Sequence, residues 1–202
     1  MIDPTKLKTL VLNADFVPLA SFPNLVTIQA RDAVSKVLSG SCIAVAEYDR
    51  KIGCPSIDMN WPAVIVRREY EHIEKSVHLN KTSLFFREAG SCMYCGCEFD
   101  SLEEVTVDHV VPRAMGGKTT WMNVVASCRD CNARKANSPP TGEWKPKYKP
   151  FEPSYYQLLD SRKTFPIEIW HESWKDFLYD WEGEIIIKDL RYFTTINQKK
   201  FA

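Results

Sequence analysis

Apolar residues in this chain fall in short clusters, and the clusters differ in period. Leu7–Leu12 is nearly continuous and predicts a strand, with a turn following at Asn13–Asp15 and Pro18. Ile28, Val34, Val37 and Leu38 fall on one helical face, so Ile28–Leu38 is expected to be helical, with Gly40 just past its end. Ile43–Ala46 and Val64–Val66 suit short strands, and Cys54–Pro55 and Trp61–Pro62 interrupt the stretch between them. Thr82 is placed to cap a short helix that runs through Glu88 and stops at Gly90. Val105, Val107 and Val110 suit a strand that brings Asp108 and His109 near its end. Met115–Lys118 reads as a loop, and Cys131–Asn132 opens a short helix. Prolines 139, 140, 146, 150 and 153 predict an extended connection over the surface. Beyond it, Ile167–Leu178 is expected to be helical and Glu184–Lys188 a strand. Trp170, Trp174, Tyr179 and Trp181 then fit one helix face and its end, which favours core packing over base stacking.

These elements divide the chain into an α/β region over residues 1–80, a core over 81–138, and a Pro-rich connection with a C-terminal extension over 139–202. With 202 residues and 45% hydrophobic content the chain can bury a real core. It has no apolar run of about 18 residues that would span a membrane. The opening residues lack the basic-then-apolar pattern of a signal peptide, so a cytoplasmic location without a membrane partner is expected. That location turns the reading of the seven cysteines away from disulfides.

Net charge is zero, yet the charge is unevenly spread. Residues 109–149 hold eight Lys/Arg and two acids, whereas residues 1–108 hold 11 basic and 15 acidic residues. A basic patch on a neutral protein suits a polyanion bound at one face. Arg113, Lys118, Arg129, Arg134 and Lys135 are the candidates for phosphate contacts, which position a duplex without reading its sequence.

Cys92-Met-Tyr-Cys95 and Cys128-Arg-Asp-Cys131 are two CxxC pairs with 32 residues between them. Each such turn brings two thiolates to one ion, and two turns complete a tetrahedral zinc site closed to solvent chemistry. The intervening segment is short and turn-rich, so a structural Zn²⁺ would help to hold it. Cys97 competes with Cys95 as a ligand, and the matched spacing favours Cys95. Cys42 and Cys54 have no partners nearby and read as core residues.

Between the pairs, Asp108 and Asn132 offer hard oxygen ligands for Mg²⁺ or Mn²⁺. His109, with an ordinary pKa of about 6.5, can take a proton from water near neutrality. The run Asp108-His109, Pro112, Gly116-Gly117, Asn123 and Cys128 to Lys135, spanning Cys92–Asn137, resembles the ββα-metal finger of HNH nucleases, in the zinc-bound branch of that family. The stretches VLNADFVPL and AVAEYDR also resemble the leader of many bacterial and phage HNH proteins.

The resemblance implies an α+β fold: an HNH finger with a structural zinc site, flanked by a small N-terminal α/β region and a C-terminal α/β extension. It also implies a DNA endonuclease in a bacterial or phage-infected cell. Asp108 and Asn132 would hold one divalent ion at the scissile phosphate, His109 would be the general base, and Asn123 would bridge the loop and orient His109. The products would carry 5′-phosphate and 3′-hydroxyl ends. Many relatives carry His where this chain has Asn132. The substrate would be duplex DNA, plain, nicked or branched, cut by a monomer, a homodimer or a complex with a partner protein. Restriction, homing, packaging and defence all stay open. A zinc-stabilised module that binds DNA or protein without cutting is the alternative, and a redox CxxC protein is a third. His72, His78 and His171 have no motif around them and read as structural.

Overall fold

The computed structural model describes residues 6–190 apart from 55, 57 and 74, so Pro55 lies outside the described residues. The described chain is mixed α+β, and two compact units share it out of chain order. One comprises residues up to 73 together with 163–190, and the other comprises residues 75–162. A division read along the chain, with limits at 80 and 138, therefore differs from the spatial one. No helix among the described residues is long and apolar enough to cross a membrane.

The first unit is built on a four-stranded sheet. Strand β1 (Lys8–Leu12) lies between β4 (Thr27–Gln29) and β6 (Asn60–Arg67), and β5 (Cys42–Lys51) pairs with the far side of β6. β1 and β6 are parallel, and the other pairs are antiparallel. A small hairpin, β2 (Ala20–Ser21) with β3 (Asn24–Leu25), fills the connection after β1. The buried central strands read as apolar runs, as strands covered on both faces do. Helix α1 spans Ala30–Leu38, two residues shorter than the apolar pattern predicts, because Thr27–Gln29 is drawn into pairing with β1. β6 runs through Trp61–Pro62 without a break. Pro62 stands opposite Glu47 where the β5–β6 register shifts, and its carbonyl accepts from Thr9 Oγ1 at 2.6 Å. A strand irregularity of that kind is where proline is tolerated.

The same unit is completed from the far end of the sequence. The expected helix Ile167–Leu178 is instead strand β9 (Ile167–Ile169) followed by a 3₁₀ turn over Glu172–Phe177. β9 pairs in parallel with β10 (Ile185–Ile187). Ile167, Ile169, Trp174 and Leu178 pack with Leu10, Leu12, Val64 and Val66, and Trp174 Nε1 donates to Ala63 O at 2.9 Å. Core packing was the right reading for Trp174, whereas Tyr179 is exposed.

The second unit holds α2 (Lys81–Arg87), the hairpin β7 (Val105–His109) with β8 (Val124–Cys128), α3 (Arg129–Lys135) and α4 (Tyr155–Lys163). Asn80, not Thr82, caps α2, its Oδ1 accepting from Ser83 N at 2.9 Å. Arg87 and Glu88 form a fully buried ion pair. Arg87 also donates to the carbonyls of Trp121, Val124 and Phe151 at 2.9, 2.7 and 2.8 Å. The Pro-rich segment is thereby tied down: Pro150 and Pro153 are buried, and Lys147 N donates to Met93 O at 2.9 Å.

Trp174 joins the two distant parts of the first unit. Trp174→Ala is expected to cost about 3–5 kcal/mol of stability, measured by urea denaturation. A loss under about 1 kcal/mol would contradict the packing described.

Candidate functional site

Two antiparallel strands followed at once by a helix form the scaffold. Asp108 stands opposite Val125 and His109 opposite Val124, so both candidate residues sit at the end of β7. Period-two alternation sends their side chains to opposite faces. The Asp108 face, shared with Thr106, is the one covered by α3. Asn132 Nδ2 on α3 donates to Thr106 Oγ1 at 2.9 Å, and Lys135 Nζ lies 2.9 Å from Asp108 Oδ2.

The cysteine pairs close this scaffold at one end. The Sγ atoms of Cys92, Cys95, Cys128 and Cys131 all lie within 4.8 Å of one another, with Cys95 and Cys128 3.9 Å apart. A tetrahedral zinc with Zn–S of about 2.3 Å requires S···S edges of about 3.8 Å, so the tetrad fits a zinc ion. All seven cysteines are free of disulfides. Cys128 is also the cap of α3, its sulfur accepting from Cys131 N at 3.4 Å. Cys97 stays outside the tetrad and contributes backbone: its N–H points at Cys95 Sγ at 3.5 Å and its carbonyl accepts from Cys92 N at 2.9 Å. Burial works to raise the Cys92 thiol, but the amides of Cys128, Tyr94 and Cys95 outweigh it and bring it down to about 6. A thiolate is the form a metal needs, whereas burial and the neighbouring sulfurs push the Cys131 thiol of the same tetrad up. Cys42 is a core residue of the first unit, and Cys54 is half-buried with its sulfur 3.1 Å from Ser56 Oγ.

Asp108 is buried, and its Oδ2 takes two donors, Lys135 Nζ and the Tyr94 hydroxyl. No hydrogen bond among the described residues reaches Oδ1. Arg67 Nε, in the other unit, is the sole buried side-chain polar atom found without a partner among those residues, so Asp108 Oδ1 reaches solvent. One oxygen of the carboxylate is therefore saturated and the other is free for a ligand. Burial, then the Asp108 carboxylate, push the Tyr94 hydroxyl well above its ordinary value, so it remains a donor.

His109 is half-buried on the other face. Its Nε2 lies 2.8 Å from Thr119 Oγ1 and 3.3 Å from Arg113 Nε. A guanidinium can only donate, so Nε2 is the acceptor and the ring is neutral, its proton on Nδ1. Burial, then the positive charges of Arg113 and Lys135, hold its pKa below the ordinary value against the opposing pull of Asp108.

Asn123 fastens the loop between the strands. Its Oδ1 accepts from Val111 N at 2.9 Å, and its Nδ2 donates to Val111 O and Lys118 O at 3.1 and 2.9 Å. Its carbonyl accepts from Val110 N at 2.8 Å, directly after His109. Two glycines allow this closure for different reasons. Gly116 ends a 3₁₀ turn at φ 83°, a conformation that suits glycine. Gly117 lies so close to Val111 that an added Cβ would stand 1.8 Å from its carbonyl oxygen.

The five candidate phosphate contacts separate in the structure. Arg113, Lys118, Arg129 and Arg134 are exposed. Arg129 donates to Glu103 O at 3.2 Å, and Arg134 pairs with Glu143 at 3.3 Å. Lys135 is corrected: its side chain is buried, bonded to Asp108 Oδ2 and to His109 O at 2.7 Å, and offers nothing to a surface phosphate. Sequence reasoning missed Tyr94, Thr119 and Thr106. Only Tyr94 carried a signal, since its place inside a CxxC turn sends it toward the hairpin.

The comparisons with known proteins agree with this geometry. A family described as HNH endonuclease matches residues 92–141, and one described as the HNH endonuclease-associated N-terminal domain matches residues 9–75. The chain is also similar to the CRISPR-associated endonuclease Cas9 of Corynebacterium diphtheriae, with 43% identity over 54 residues. That stretch is 26% of this chain and 5% of the relative, so the chain spans a small fraction of that protein.

The purified protein is expected to contain one zinc per chain by elemental analysis. Cys92→Ser should lose the metal and the protease resistance of residues 75–162; a zinc-free variant that stays folded would contradict the tetrad's role. Gly117→Ala should destabilise the loop by about 1–3 kcal/mol through overpacking, read as a lowered thermal midpoint.

Proposed function

We propose, for a chain that belongs to the HNH endonuclease family, that it hydrolyses phosphodiester bonds of DNA with a divalent metal, leaving 5′-phosphate and 3′-hydroxyl ends. The observation that carries this reading is the asymmetry of Asp108: a buried carboxylate with one oxygen held by two donors and the other open, followed at the next position of the strand by a neutral histidine.

In this reading His109 takes the proton of the attacking water at Nε2. Its lowered pKa keeps it unprotonated at neutral pH, the state a general base needs. In the free protein that nitrogen is occupied by Arg113 and Thr119. A phosphate that draws both the Arg113 guanidinium and the Thr119 hydroxyl proton to itself frees the lone pair for water. Asn123 fixes the backbone on either side of residues 110–118 and so holds His109 in place. Asp108 Oδ1 and the Asn132 side chain would hold the Mg²⁺ or Mn²⁺ ion. The bound ion supplies Lewis-acid stabilisation of charge on the phosphate and the departing 3′ oxygen. Arg113, Lys118, Arg129 and Arg134 bind flanking phosphates, which makes affinity fall with salt. One such site cuts one strand at a time, so a nick precedes any double-strand break.

Supercoiled plasmid tests this reading. The wild type is expected to nick it with Mg²⁺ or Mn²⁺ and to stop in EDTA. His109→Ala should lower the rate by about 10²–10⁴-fold, the usual weight of a general base. Undiminished metal-dependent cutting by His109→Ala would refute the mechanism.

A further inference from the structure

The two donors on Asp108 Oδ2 come from the two segments that carry the cysteine pairs. Tyr94 lies between Cys92 and Cys95, in a turn fixed by its flanking thiols and docked on β8 by the bond from Met93 N to Ala126 O at 3.0 Å. Met93 is buried with Val110 and Val125, and Tyr94 packs against that cluster. Its ring meets Trp144 edge-on at 6.0 Å, and Lys135 Nζ stands 5.9 Å from its centroid. Lys135 closes α3, the helix that Cys128 caps and whose first turn holds Cys131. Asn132 lies on that helix too. Each half of the tetrad thus delivers one group to the same carboxylate oxygen, and the second half delivers the other oxygen ligand as well.

We propose that Tyr94 is a positioning residue: its hydroxyl, with Lys135, holds Asp108 so that Oδ1 alone is presented to the catalytic divalent ion, and so couples occupancy of the cysteine tetrad to affinity at the catalytic site. This rests on the nuclease reading above. A carboxylate on a single bond can rotate about χ2, and a ligand free to rotate binds a metal less well than one already aimed. Two donors converging on one oxygen stop that rotation. Lys135 by itself leaves the carboxylate a pivot, and the tyrosine hydroxyl, arriving from a different element, fixes its plane.

The test compares the full-length zinc-loaded wild type with Tyr94→Phe, which keeps the ring against Trp144 and Lys135 and removes only the hydroxyl. Mn²⁺ binding is followed by the electron paramagnetic resonance signal of the free ion, with zinc content, thermal melting and plasmid nicking measured on the same samples. His109→Ala serves as the control that retains Asp108 and Tyr94. Tyr94→Phe is expected to keep its zinc and its melting temperature, to bind Mn²⁺ about 10-fold or more weakly, and to lower kcat by about 10–100-fold with KM for DNA unchanged. His109→Ala is expected to bind Mn²⁺ as the wild type does and not to cut. If Tyr94→Phe binds Mn²⁺ and cuts like the wild type, the positioning role is wrong. If it loses zinc, the tyrosine belongs to the staple alone and the proposal also fails. If the wild type itself neither binds Mn²⁺ nor nicks DNA, the nuclease reading falls and this inference falls with it.

Discussion

The second unit is organised around two opposite charges buried together, Asp108 on a strand and Lys135 at the end of the helix that follows the hairpin. Neither can be left alone there. Removing one partner of a buried pair leaves an uncompensated charge, typically a loss of 3–5 kcal/mol, although the intact pair adds little net stability because both ions were taken from water. The pair therefore specifies geometry more than it adds strength. It sets how far α3 slides along β7, it directs a second Lys135 bond to His109 O, and it leaves one carboxylate oxygen for chemistry. Arg87 and Glu88 do a similar job behind the hairpin, where a buried guanidinium gathers three carbonyls from two separate stretches of chain.

Much of this site is legible in the sequence. Cys92, Cys95, Cys128 and Cys131 announce themselves by spacing, and a CxxC turn is local enough for four residues to define it. The end of β7 was equally local, fixed by valines at alternate positions, whereas α3 opens at Arg129, two residues before the expected Cys131, where the Cys128 sulfur caps it. Lys135 was not readable. A lysine in the last turn of a short polar helix looks like surface, and its burial depends on a carboxylate 27 positions earlier that only the folded hairpin brings beneath it. Tyr94 lies inside a motif whose spacing marks only its sulfurs.

Outside the site the pattern failed where pairing is long-range. Ile167, Trp170, Trp174 and Leu178 recur at spacings close to a helix period. The chain nonetheless makes strand β9 there, because Ile167 and Ile169 find a parallel partner in Ile185 and Ile187. Nothing local forces that choice. The Pro-rich stretch does run over the surface, with two buried points the sequence did not mark, Pro150 and Pro153, and between them the Phe151 carbonyl accepts from Arg87, far away in sequence.

The order of the two units along the chain has a further consequence. Because residues 163–190 complete the unit begun by residues 6–73, everything from 75 to 162 is, to that unit, a loop. A folded loop with fixed ends adds little to the entropy of closing it, whereas a molten one of this length adds a penalty on the order of 4 kcal/mol, growing only as the logarithm of its length. Against the 5–15 kcal/mol typical of a domain, that is enough to be felt and too little to be fatal. Metal starvation in one half of the molecule would thus reach the other half through chain connectivity alone, as a softening of the sheet.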